Sequence, residues 1–255
     1  MMNRPATVGI LASAFLTALT GIAPAQSQAP KNPYPAMAPR EQYMPASQAA
    51  EIALARSAGP AAVSDKAEIL VLGAHGYETA VKGSNGFVCL VARSWGQDFD
   101  QPEFWNPKIR TPHCVNAAAA SSVLPDYIKR TQWVLARVSK EEMLARTKAA
   151  LAAHEIGSPA PGSMAYMLSK DQYINDPQDG AEARWYPHVM FFMPATEASN
   201  WGANVRGGPI FSTTSTVEPI TTFFVVAPRW SDGSLGPYVP VPAATTAKSD
   251  THTHR

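Results

Sequence analysis

The feature that most constrains this fold is a switch to two-residue periodicity at Ala67. Glu68 to Leu72 (EILVL), Tyr77 to Lys82 (YETAVK) and Phe87 to Ser94 (FVCLVARS) each read as a strand. Gly73-Ala74-His75-Gly76 and Gly83-Ser84-Asn85-Gly86 separate them. Glycine supplies the backbone angles that tight turns require, and Asn-Gly is a strong hairpin signal. Three strands joined by two such turns predict an antiparallel meander.

Helical spacing appears on both sides of that block. Ser47 opens a short helix that Gly59-Pro60 stops. Further on, Leu124, Ile128, Thr131, Leu135 and Val138 recur at threes and fours, with Pro125 in the first turn. Ser139-Lys140-Glu141-Glu142 has the spacing of a capping box and starts a second helix faced by Met143, Leu144, Thr147 and Leu151. His154 and Gly157 mark its end. The pair predicts a helical hairpin. Strands then return at Ser163 to Leu168, His188 to Met193 and Thr221 to Ala227. The last two are apolar on both faces and predict central positions. The fold class is α+β: a mainly antiparallel sheet, made of the N-terminal three-stranded meander and later strands, with the helical hairpin packed on one face.

The ends of the chain differ from its middle. Arg4 precedes an uncharged apolar run from Val8 to Leu19, and Ala23-Pro24-Ala25 and Ser27-Gln28-Ala29 offer small residues for cleavage. That layout predicts a signal peptide over 1–29 and a periplasmic or secreted protein. The alternative of an uncleaved anchor is disfavoured by Thr17, Thr20, Gly21 and Pro24, and no later stretch resembles a membrane span. Residues 30–46, rich in Pro, Ala and Gln, read as a linker or extended arm, 47–231 as one α+β domain, and 232–255 as a disordered Pro/Thr/Ala-rich tail. The chain has 21 basic and 20 acidic residues. Without Arg4 it is balanced, which argues against nucleic acid as a partner.

Cys89 and Cys114 are the only cysteines. In an oxidising compartment they predict a disulfide, tying the far end of the aromatic, acidic loop from Trp95 to Thr111 back to the third strand. They lack the spacing of a redox pair or a zinc site.

Motifs for chemistry are sparse. There is no G-x-S-x-G elbow, no S-x-x-K with K-T-G, no phosphate-binding glycine loop and no H-E-x-x-H. The acidic run from Asn175 to Gly180 has the wrong oxygen spacing for calcium. His252 and His254 in the tail lack the ligand number that a metal site needs. No metal or cofactor is expected. Among the histidines, His188 at the start of an apolar strand is the leading catalytic candidate, with Tyr166 and Lys170 on the neighbouring segment. Trp95, Trp105, Trp185 and Trp201 fall in loops, and Trp201 lies close to Asn204 and Arg206. Such residues suit a platform for a small molecule or glycan; alternatively each indole plugs its own loop onto the domain.

The segments GSNGFVCLVARSW, GSMAYMLSKDQY and WYPHVMFFMP resemble parts of an uncharacterised family of exported bacterial proteins, over about Glu51 to Asp232. The resemblance implies a shared exported domain and carries no activity, ligand or catalytic residue. Three functional readings follow. The first is an exported domain binding a small or envelope-derived ligand through aromatic loops. The second is a hydrolase of unfamiliar type with His188 as general base. The third is a structural envelope protein with an exposed apolar patch.

Overall fold

Ile69 and Val71 point to one side of their strand, Leu70 and Leu72 to the other, and all four are buried. A strand buried on both faces needs cover on both. In the computed structural model, which describes residues 32–177 and 185–237, that strand, β1 (Glu68–Gly73), lies inside an eight-stranded sheet. The leader at 1–29, the tail from 238 with His252 and His254, and positions 178–180 of the acidic run lie outside the described residues.

One face of β1 is covered by α1 (Gln48–Arg56). The Ser47 hydroxyl accepts the Ala50 N–H and starts this helix, as the sequence predicts. Ile52 and Ala55 meet Ile69, Cys89, Val91 and Cys114 there. The opposite face carries α3 (Ala117–Ser122) and α4 (Leu124–Leu135), which bring Ala119 and Leu124 onto Leu70, Leu90 and Val115. A second aromatic cluster gathers Tyr43, Trp95, Phe104, Val134 and Met143, the last from α5 (Lys140–Ala152). Helices therefore cover both faces, which corrects the expectation of one helical hairpin on one face. The physical reason is the double burial of β1 and of β3 (Val88–Ala92).

The remaining strands are β2 (Gly76–Val81), β4 (Thr111–Val115), β5 (Met164–Met167), β6 (His188–Pro194), β7 (Ile210–Thr214) and β8 (Ile220–Val226). Their order across the sheet is β2-β1-β3-β4-β5-β6-β8-β7. The architecture is α+β, but the predicted meander is not what forms. β1 and β2 make an antiparallel hairpin, whereas β3 lies on the far side of β1 and parallel to it. The Gly83–Gly86 segment is a crossover rather than a hairpin turn. It passes over the start of β1, where the Ser84 N–H donates to the Lys66 carbonyl and the Glu68 N–H to the Phe87 carbonyl. The Asn85 amide donates to the Val63 carbonyl, anchoring the crossover to α2 (Ala61–Ser64).

Cys89 and Cys114 are directly opposite in the β3–β4 register and are joined by a buried disulfide. The segment 32–46, read from composition as a linker or arm, packs on the domain: Tyr43 is buried and its hydroxyl donates to the Trp105 carbonyl. Residues 232–237, assigned to the disordered tail, are ordered, with Arg229 bridged to Leu235 and Lys170 paired to Asp232. β6 and β8 sit within the sheet, yet Phe191, on the α1 side, keeps 42% exposure, since α1 packs chiefly on β1, β3 and β4. No helix among the described residues is long and apolar enough to cross a membrane.

Candidate functional site: a cleft between α4 and the sheet

The sheet face toward α4 is only partly filled. Leu70 and Leu124 close it near β1. Beyond them, between α4 and strands β3 to β8, a cleft of about 470 Å³ stays open. Small-molecule sites commonly span roughly 300–1,000 Å³. A further hollow, beside Tyr43 and Trp95, holds about 10 Å³; a single water needs about that much.

Strand alternation builds the floor of the cleft. One row runs Val115, Ala165, Met190 and Phe224 through β4, β5, β6 and β8. The next row in one direction is Phe192, Thr222 and Thr213. In the other direction it is Leu90, His113, Met167 and His188. Met190, Phe192, Phe224, Met167 and Val115 make this floor predominantly apolar.

Polar groups gather toward α4. Arg130, although buried, lies on the cleft lining; its guanidinium donates to the Trp95 and Gln97 carbonyls and pairs with Glu218. Asp98 accepts the Ser215 hydroxyl at 2.8 Å. Asp126, in the first turn of α4, makes no hydrogen bond or ion pair among the described residues. Burial first, and the Glu218 carboxylate second, raise its pKa to about 6, against the opposing pull of Arg130 and Lys129.

Both strand histidines are neutral. His113 Nδ1 lies 2.7 Å from the Thr111 carbonyl, and His188 Nδ1 lies 2.8 Å from the Tyr186 carbonyl. A carbonyl only accepts, so each Nδ1 carries the proton and each Nε2 keeps a lone pair. Burial lowers the His113 pKa to about 4 and lowers that of His188 as well. His113 retains partial surface exposure, but it lines the cleft, so that surface faces the cavity. His188 is only 8% exposed, and its Nε2 has no hydrogen-bond partner among the described residues.

The Tyr127 phenol on the cleft wall is already committed. Tyr77 donates its proton to the Val91 carbonyl, so in the 3.0 Å contact between the phenols Tyr127 is the donor. Its oxygen accepts the Arg93 N–H. Ser122 bonds to the Ala118 carbonyl, and neither Ser122 nor Ser215 bonds to a histidine among the described residues. The cavity has the volume for a small molecule, and among the described residues its lining presents no nucleophile hydrogen-bonded to a base.

The residues singled out from the sequence do not converge. Tyr166 pairs with Val189 and its ring stacks toward Phe87 on the α1 side, opposite His188. Lys170 is at the surface with Asp232 at 2.8 Å. The proposed trio of His188, Tyr166 and Lys170 is therefore split by the sheet itself. Trp95 is buried with its indole N–H on the Thr131 hydroxyl, and Trp105 is buried edge-on to Phe104. Trp185 reaches Asn175 and lies edge-on to Tyr173. Trp201, 51% exposed, leans on Phe223 across the sheet from the cleft. Asn204 takes a left-handed backbone (φ 61°) and its amide bonds the Ser212 backbone on edge strand β7. Arg206 is exposed nearby. None of the four tryptophans lines the cleft.

Sequence reasoning passed over Asp126, Arg130, Asp98, Glu218 and His113. The one available signal was Arg130 beside the apolar stripe of α4, since a buried arginine implies a partner. Asp176, from the acidic run, accepts from Tyr173, Tyr34 and Lys108. Among the described residues no group of three or more His, Cys, Asp or Glu side chains is placed to hold a metal ion. Comparison with protein-family models, with curated proteins and with solved structures finds no match to this chain.

Proposed function

We propose that this chain binds a small, largely apolar molecule in the cleft between α4 and the sheet, and that it does so as an exported protein. The observation that carries the binding reading is the 470 Å³ cleft itself, apolar along its floor and polar at its α4 end. A domain that packs Trp95, Phe104 and Leu90 to near-complete burial leaves this volume unfilled, and native interiors seldom keep such a void without use. Dispersal of the loop tryptophans moves the binding role from the aromatic loops to this cleft. Export is supported by the leader pattern over 1–29 and by a cysteine pair at disulfide geometry.

The test uses N-phenyl-1-naphthylamine, an uncharged dye that brightens in apolar surroundings. Purified protein should bind it saturably, with one dye per chain. Thr222 lies on the floor between Phe192 and Thr213. Thr222→Trp would fill that space and weaken dye binding by about tenfold or more. Undiminished binding by a folded Thr222→Trp protein would place the dye elsewhere and end this reading.

A further inference from the structure

Among the described residues the cleft lining offers no free cation, and beside the unbonded Thr213 and Thr222 hydroxyls it keeps free acceptors. Two arginines contribute to the lining, and both guanidinium groups are engaged. Arg93 donates to the Tyr43 and Val91 carbonyls and pairs with Glu51 at 2.9 Å, away from the cavity. Arg130 is held by Glu218 and two carbonyls. The Tyr127 proton is taken by Tyr77 and the Ser215 proton by Asp98. Left over on the same cavity are the Asp126 carboxylate, bonded to nothing among the described residues, and the lone pair of His113 Nε2. On the same side of the sheet, beside Phe224, His188 Nε2 is buried and without a partner among the described residues. Each pairing of Arg with Glu cancels, so Asp98 and Asp126 leave the polar end negative.

We propose that the ligand of this cleft is a primary amine with an apolar tail, its ammonium seated on Asp126 and its tail along Met190, Phe192 and Phe224. This rests on the cleft being a binding site. An ammonium has three donors and a charge opposite to that of the site, so it supplies the cation that the lining lacks. A carboxylate or phosphate would meet Asp126 and Asp98 with like charge and find no free cation on the lining. A neutral alcohol would satisfy the acceptors without the Coulomb attraction.

The seat also sets a pH dependence. The charged groups around Asp126 are Arg130 and Lys129 on its own helix and Glu218 ahead of β8, and the lining also holds the Asp98 carboxylate and the titratable, neutral His113. In the free protein the Asp126 carboxyl takes up a proton as pH falls through about 6. An ammonium needs the carboxylate, so amine affinity should be flat above pH 7 and fall about tenfold between pH 7.5 and 5.

The experiment is displacement of N-phenyl-1-naphthylamine by octylamine and by octanol, from wild type, Asp126→Asn and Asp98→Asn proteins. Octylamine should displace the dye from wild type at a concentration about tenfold or more below that of octanol, given a charge-assisted hydrogen bond. That preference should vanish in Asp126→Asn and largely survive in Asp98→Asn. Equal displacement by the two compounds from wild type overturns the amine proposal while leaving the cleft reading intact. So does a preference that persists in Asp126→Asn, or one that Asp98→Asn alone removes. Dye binding that Thr222→Trp does not weaken removes both.

Discussion

His113 and His188 occupy one row of the sheet with Met167 between them; burial keeps each ring neutral, and a carbonyl two residues earlier fixes the proton on Nδ1. That arrangement has a sign. The unfolded chain protonates these rings near their ordinary value, while folded His113 resists down to about 4. Stability is therefore full above about pH 6.5 and is lost as pH falls from there toward 4. We expect wild type to lose on the order of 2 kcal/mol through His113 between pH 7 and 4.5. Urea denaturation at the two values should show a smaller loss in His113→Asn. Asp126 runs the other way. Its raised pKa means the folded state disfavours the charge, so stability falls as pH rises through about 6. Asp126→Asn should gain about 1 kcal/mol at pH 8 and nothing at pH 4, the gain being reduced by partial solvent screening. A variant that is more stable yet poorer at holding an amine is the expected signature of a ligand group.

At the scale of elements, the β2–β3 crossover decides the topology of the whole sheet. A Cβ on Gly83 would lie 2.2 Å from the Glu68 backbone nitrogen and 2.7 Å from the Ala67 carbonyl carbon. Both are backbone atoms, so no side-chain rotation relieves the clash. Gly83→Ala should cost about 3 kcal/mol or more, read as a fall in melting temperature. Gly157→Ala, with nothing within 4 Å of the added carbon, serves as the control. The helix ends offer a related lesson. Ser139 caps α5 through the Glu142 N–H, as its sequence spacing indicates, but the Glu142 carboxylate turns to Arg146 instead of completing a capping box. α5 ends with the Glu155 N–H on the Ala150 carbonyl and the His154 N–H on Leu151. His154, one of the two residues that mark this end in the sequence, takes the left-handed position at φ 57°.

For the whole molecule, the disulfide joins neighbouring strands across a sequence separation of 25. In the chain-entropy account, closing that loop stabilises the fold by roughly 3 kcal/mol. The Cys89→Ser, Cys114→Ser double variant should lose about that much unfolding free energy, read as a lower guanidinium midpoint, and retention of the wild-type midpoint would contradict it. The segments with local signatures were legible without coordinates: the Ser47 and Ser139 caps, the strands around EILVL, HVMFFM and TTFFVVA, and the cysteine pair. Each depends on contacts within a few residues or on a single chemical affinity. By itself the sequence thus determined the α+β class, the places where the chain turns, and the pairing of Cys89 with Cys114. Only the tertiary structure decided that β3 lies beside β1 instead of β2, because a turn signal shows where a chain reverses and not which side of the preceding strand it rejoins. Only the tertiary structure, too, put Tyr166 and His188 on opposite faces and brought Asp98, Asp126 and Glu218 around one cleft. Glu218 meets Asp98 and Asp126 through strand register and helix placement across more than ninety positions of chain, and no local pattern encodes a separation of that length.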